Sequence, residues 1–207
     1  MADMRFTASI HYESQLMVPV SYYPDLLVPP GVPVYEPIAV TFARMSQLAP
    51  DKFPAPAGLT VATRELSVKL RGFWKPSGTS PVTWQWQGGV MQLDVTVAVY
   101  IIDKYRPVEK LFELILSHEL MHVQDDIDIV SQYLPQELPK DPLVKKYLID
   151  QAPVDDAMYR NYFCTDMLQK GLQPIWADER NVRGRQRDSG ALYRRYTEKL
   201  LTLLPKI

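Results

Sequence analysis

His118, Glu119 and His122 stand together in the run Ser117-His118-Glu119-Leu120-Met121-His122-Val123. Successive helical residues turn by about 100°, so two histidines four apart differ by about 40° and sit one turn apart on one face, where both imidazoles reach a single ion. A carboxylate beside the first of them falls on the adjacent strip, near the ion but not needed as a ligand. From there it can take a proton from a water activated by the ion and hand it to a leaving group. The pattern H-E-x-x-H therefore points to metal-assisted hydrolysis with Zn2+ as cofactor, provided that it lies on a helix. The third histidine, His11, falls in a strand without ligand-like neighbours and reads as an ordinary half-exposed histidine.

A catalytic zinc takes three protein ligands and keeps a fourth position open. Asp125 and Asp126 lie one turn beyond His122 and, on a continuous helix, about 10–12 Å along the axis from His118. A supporting or solvated role suits them better than ligation. Asp128 has the spacing of the last ligand in the extended pattern H-E-x-x-H-x-x-G-x-x-H/D, but Asp125 stands where that pattern has the glycine that turns the chain back. Trp176-Ala177-Asp178-Glu179-Arg180 puts two more carboxylates into an apolar stripe through Ile175, Val182, Tyr193, Tyr196, Leu200 and Leu203. Spacing leaves Asp178 and Glu179 both open as ligands. The plain alternative for Glu179 is a solvated carboxylate paired with Arg183.

The elements that must position these groups change character along the chain. Prolines, aromatics and β-branched residues dominate the first half, and Leu, Lys, Arg, Glu and Gln the second, which reads as strands first and helices second, an α+β fold. Strands are predicted at Met4–Tyr12, at Gly58–Trp74 with a turn at Lys75-Pro76-Ser77-Gly78, and at Val90–Ile102, where Met91, Leu93, Val95, Val97, Val99 and Ile101 share one face. Pro24 to Pro37 reads as an extended connection. A helix starts at Pro107 and carries the histidines, with Pro135 and Pro139 bounding its far end. Two more helices are predicted at about 154–170 and 174–204, with a loop at 135–153.

With 207 residues the chain fits a single domain over 1–207, mainly β in 1–106 and mainly α in 107–207. The net charge of -1 gives no global field toward nucleic acid or an anionic membrane. Arg180, Arg183, Arg185, Arg187, Arg194 and Arg195 are interleaved with Asp178, Glu179, Asp188 and Glu198, a salt-bridged face rather than a polyanion site. Cys164 is the only cysteine, so a disulfide framework is excluded, and it reads as a small apolar helix residue. Neither a leader-like N-terminus nor an apolar run of about 18 residues is present, and the expected location is the cytoplasm.

With H-E-x-x-H on a helix after a strand, the chain resembles the zincin superfamily of metallopeptidases. The order LDVTVAVYIID, a short link, then LFELILSHELMHVQD is also similar to an uncharacterised bacterial family expected to contain zinc-dependent proteases. The likeness is specific over residues 90–126. The gluzincin branch takes its third ligand from a later helix, which implies Glu179 here; the aspartate that branch carries four residues further on is replaced by Arg183. The resemblance implies a peptide or protein substrate, Glu119 as general base, an oxyanion stabiliser such as Arg183 or Tyr193, and a substrate strand pairing along Val90–Ile102. A second reading is a non-catalytic assembly protein that keeps a zincin scaffold, with Trp74, Trp84 and Trp86 either at an interaction surface or, more simply, in the core under the sheet.

Overall fold

The structure is a computed structural model, and it describes residues 4–12, 37–52, 56–62, 67–78, 80–163 and 167–204. Among these the strands are β1 (Met4–Tyr12), β2 (Ile38–Val40), β3 (Gly58–Ala62), β4 (Ser67–Ser77), β5 (Thr83–Ile102) and β6 (Val154–Asp155). The α-helices are α1 (Phe42–Leu48), α2 (Glu109–Asp128), α3 (Leu134–Glu137), α4 (Asp156–Met158), α5 (Met167–Arg187) and α6 (Gly190–Leu203). Sheet and helices together are compatible with the α+β expectation. No helix among the described residues is long and apolar enough to cross a membrane.

Every other described strand pairs with β5. β3, β4 and β6 do so antiparallel and β2 parallel. β5 thus begins earlier than its apolar alternation suggested, and it lies inside the sheet: at Tyr100 and Ile101 it is flanked by β2 and by β3. This corrects the idea that Val90–Ile102 offers a free edge to a substrate strand, because its backbone groups there are already in ladders. The predicted strand Gly58–Trp74 is two strands, and Lys75 to Ser77 lengthen the second, paired with Gln85, Trp84 and Thr83. The turn begins only at Gly78, whose φ of 83° suits glycine. Most of the proline-rich run Pro24 to Pro37 and Cys164 lie outside the described residues.

The helical half differs from expectation in three places. α2 passes into a π-helical turn at Ile129–Tyr133, and Pro135 and Pro139 then sit in the first turns of short helical segments instead of stopping one long helix. Val154–Asp155 joins the sheet at Thr83 and Trp84 before α4, whose first turn Asp155 caps by accepting from the Met158 amide at 2.7 Å. The predicted helix 174–204 is broken at Asp188-Ser189-Gly190. α5 ends there, Gly190 takes a φ of 81°, and α6 starts anew. That helix also starts before the predicted 174, because α5 begins at Met167 and has Pro174 inside it.

The chain clusters into two compact units, and β5 runs through both. One comprises Met1–Ile10, Arg64–Val95 and Ile127–Arg180. Its core holds fully buried Trp86, Met91, Leu93, Leu134 and Leu148. Trp86 lies across Gly72 and Gly89, where any side chain would strike its ring, so the core reading fits this tryptophan. Trp74 and Trp84 are half-buried against Tyr159. The other unit comprises His11–Thr63, Thr96–Asp126 and Asn181–Ile207. There α2 buries Leu111, Ile115, Leu116 and Val123 completely, together with Met45, Val97, Ile101 and Ile102. These apolar contacts fix the helix roll and with it the direction of the motif's polar groups.

Candidate metal centre

His118 and His122 lie on α2 in line with the buried Leu111 and Ile115, and are both largely withdrawn from water, with side-chain exposures of 6% and 16%. Their Nε2 atoms are 3.3 Å apart. The third corner is Asp188, at the break between α5 and α6. Its Oδ1 is 3.2 Å from Nε2 of His118 and 3.2 Å from Nε2 of His122. The three side chains form the one cluster among the described residues able to hold a metal ion.

This triangle can be compared with what zinc requires. Three ligands at about 2.0–2.1 Å in a tetrahedron stand about 3.3–3.4 Å apart, whereas the same bonds on one octahedral face give about 2.8–3.0 Å. The observed sides of 3.2, 3.2 and 3.3 Å lie nearer the tetrahedral value. The donor set, two imidazoles and one carboxylate, also suits zinc. The residues present fit the ion.

Electrostatics bind the triangle together even without a metal. At His122 burial opposes protonation, but the hydrogen bond to Asp188 and the charges of Glu119, Asp188 and Asp125 outweigh it and raise its pKa. At Asp188 burial works against the charge, yet the hydrogen bonds with His118 and His122, the His122 charge and Lys52, 3.6 Å from Oδ2, hold the carboxyl well below its usual range. The sign of the pH dependence follows. The Asp188 contribution to stability is present above about pH 4 and fades as pH falls further; that of His122 is complete below about pH 6.5 and is lost as pH rises through its raised value. With metal chelated, the melting temperature of the wild type should therefore exceed that of Asp188→Asn most near pH 5–6 and by less at pH 8, a difference that calorimetry can follow.

Glu119, 4% exposed, is held by β3. The Thr60 hydroxyl lies 2.8 Å from Glu119 Oε2 and 3.0 Å from the Glu119 main-chain oxygen. Gly58 leaves the room: a Cβ there would come within 2.6 Å of Ile115 Cγ2 and 2.8 Å of Glu119 Oε1. Gly58→Ala is accordingly expected to cost about 1–3 kcal/mol by overpacking. Thr60→Val, which leaves a buried carboxylate short of a donor, should cost a similar amount, about 1–3 kcal/mol. Urea denaturation of both variants measures this.

Two tyrosines of α6 complete the surroundings. Tyr196 stacks on His118 with ring centroids 4.3 Å apart and planes 16° apart, and Tyr193 is tilted at 5.8 Å. Burial first, then the charges of Glu119 and Asp188, push the Tyr196 phenol well above its ordinary range, so it is a neutral donor at neutral pH. Among the described residues the Nδ1 of His118 is buried without a hydrogen-bond partner; the ring is held by its Nε2 contact with Asp188 and by face-to-face packing on Tyr196.

The other candidate ligands lie elsewhere. Glu179 is half-buried and Asp178 exposed on the part of α5 that belongs to the first unit, and neither is in the cluster. Asp128, the last residue of α2, lies within hydrogen-bonding distance of Gln132, and Asp125 is paired with Arg187. Spacing along an assumed unbroken helix hid Asp188. The signal that marks it is Asp188-Ser189-Gly190 itself, a turn composition at which a helix can end and aim its last carboxylate. No protein-family model, no curated protein and no solved structure matches this chain.

Proposed function

We propose that this chain is a zincin-type, zinc-dependent metallopeptidase in which His118, His122 and Asp188 hold the ion and Glu119 is the general base. The observation that carries this reading is the near-equilateral triangle of Nε2, Nε2 and Oδ1 atoms beside a buried glutamate on the same helix. Asp188 takes the place that family likeness assigned to Glu179.

Zinc, when bound, supplies the Lewis acidity that makes a water nucleophilic near neutral pH and polarises a carbonyl. Glu119 accepts the proton released as that water attacks and delivers it to the leaving amine. Thr60, bonded to Oε2, keeps the carboxylate from rotating. Tyr196, a neutral phenol, is the candidate donor to the oxygen on which charge develops. The substrate is a peptide or protein chain, and a nucleic-acid partner is not part of the reading.

The test is twofold. Elemental analysis of protein purified without an affinity metal should give about one zinc per chain, and a mixture of unstructured peptides should be cleaved by wild type and not by Glu119→Gln. Zinc without cleavage would favour the assembly-protein reading; a wild type that takes up no zinc would end the metallopeptidase reading.

A further inference from the structure

We propose that Asp125 and Arg187 are a positioning pair that sets Asp188 in register with the two histidines, an inference that rests on the zinc reading of the site. Asp125 is on α2, three residues beyond His122, and is 5% exposed. Arg187 is the last residue of α5, directly before Asp188. Its Nε lies 2.9 Å from Asp125 Oδ2 and its Nη2 2.9 Å from Asp125 Oδ1, a two-pronged fork on one carboxylate.

Such a fork fixes direction as well as distance, because the planar guanidinium and the carboxylate must be coplanar for both bonds to form. It therefore ties the corner that bears Asp188 to the helix that bears His118 and His122. It also engages both oxygens of Asp125, the first carboxylate after His122 on α2. That leaves Asp188 as the acid free to ligate. The pair thus decides both where the third ligand stands and which aspartate it is.

A lysine at 187 keeps the charge but cannot form the fork, and an asparagine at 125 keeps the shape but removes its charge. Zinc affinity is measured by competition with a chromophoric chelator on full-length wild type, Arg187→Lys and Asp125→Asn, at a temperature where circular dichroism shows each folded. Cobalt-substituted protein supplies the visible spectrum as a geometric readout. Both variants are expected to bind about one ion per chain roughly 10–100-fold more weakly, with altered cobalt bands. Unchanged affinity and spectrum in a folded Arg187→Lys, whatever its melting temperature, overturns the proposal while the zinc reading stands. If wild type takes up neither ion, both fall. If Asp125→Asn does not fold, Arg187→Lys decides alone.

Discussion

Asp188→Ala is expected to abolish stoichiometric zinc retention through purification, while Glu179→Ala keeps it. The apparent binding free energy of a four-ligand protein zinc site is about 10–16 kcal/mol, so one ligand represents roughly 3–4 kcal/mol, or about 10²–10³-fold in affinity. The contrast between the two variants is what matters. Asp188 Oδ1 stands 3.2 Å from each imidazole nitrogen, whereas Glu179 is absent from the cluster. Asp188→Ala also leaves the two histidines, whose nitrogens are 3.3 Å apart, without the carboxylate that favours protonating one of them. The metal-free variant should therefore gain less on moving from pH 8 to pH 6 than the wild type does. Zinc retained by Asp188→Ala and lost by Glu179→Ala would reverse the ligand assignment.

Glu119→Gln should separate binding from chemistry. The amide has nearly the shape of the carboxylate, accepts from Thr60 through its oxygen, and fits the space that Gly58 leaves, so folding and zinc content should be preserved. It cannot accept a proton. General-base contributions are typically about 10²–10⁴-fold, and a fall of that size in kcat with KM within a few-fold, measured on whichever peptide wild type cleaves, is the expected result. Loss of zinc along with activity would instead make Glu119 a structural support of the metal centre.

The parts of this molecule governed by local pattern were legible in the sequence. The apolar alternation of Met91 to Ile101 marks the core half of β5, and the helical run through Val108, Leu111, Leu114, Ile115 and Leu116 marks the buried face of α2 at Leu111, Ile115 and Leu116, with Val108 and Leu114 only half-buried. The pairing of His118 with His122 follows from the same helical geometry. What was not legible depends on long-range pairing. Whether β5 is central or at an edge depends on β2 and β3, neither adjacent to it in the chain. The third corner of the cluster, Asp188, depends on a helix break that two strong helical stripes on either side disguise. Asp178 and Glu179 both sit in a helical stripe, and only the family likeness chose between them; Asp188, at a chain reversal, belongs to no stripe and so was not among the candidates.

That chain reversal has a consequence for how the fold is closed. The chain leaves the unit that holds the site after Asp126 and returns to it at Asn181, and the side chains on either side of this excursion, Asp125 with Arg187 and the histidines with Asp188, are the ones that meet. They act as a clasp on a loop whose ends are 62 to 70 residues apart in sequence. Joining ends that far apart costs roughly 3–4 kcal/mol of chain entropy. The bidentate ion pair offsets part of it, and an ion held by residues from both ends would offset more by mass action. On the proposed reading, the group that performs the chemistry is also the pin that keeps the excursion shut.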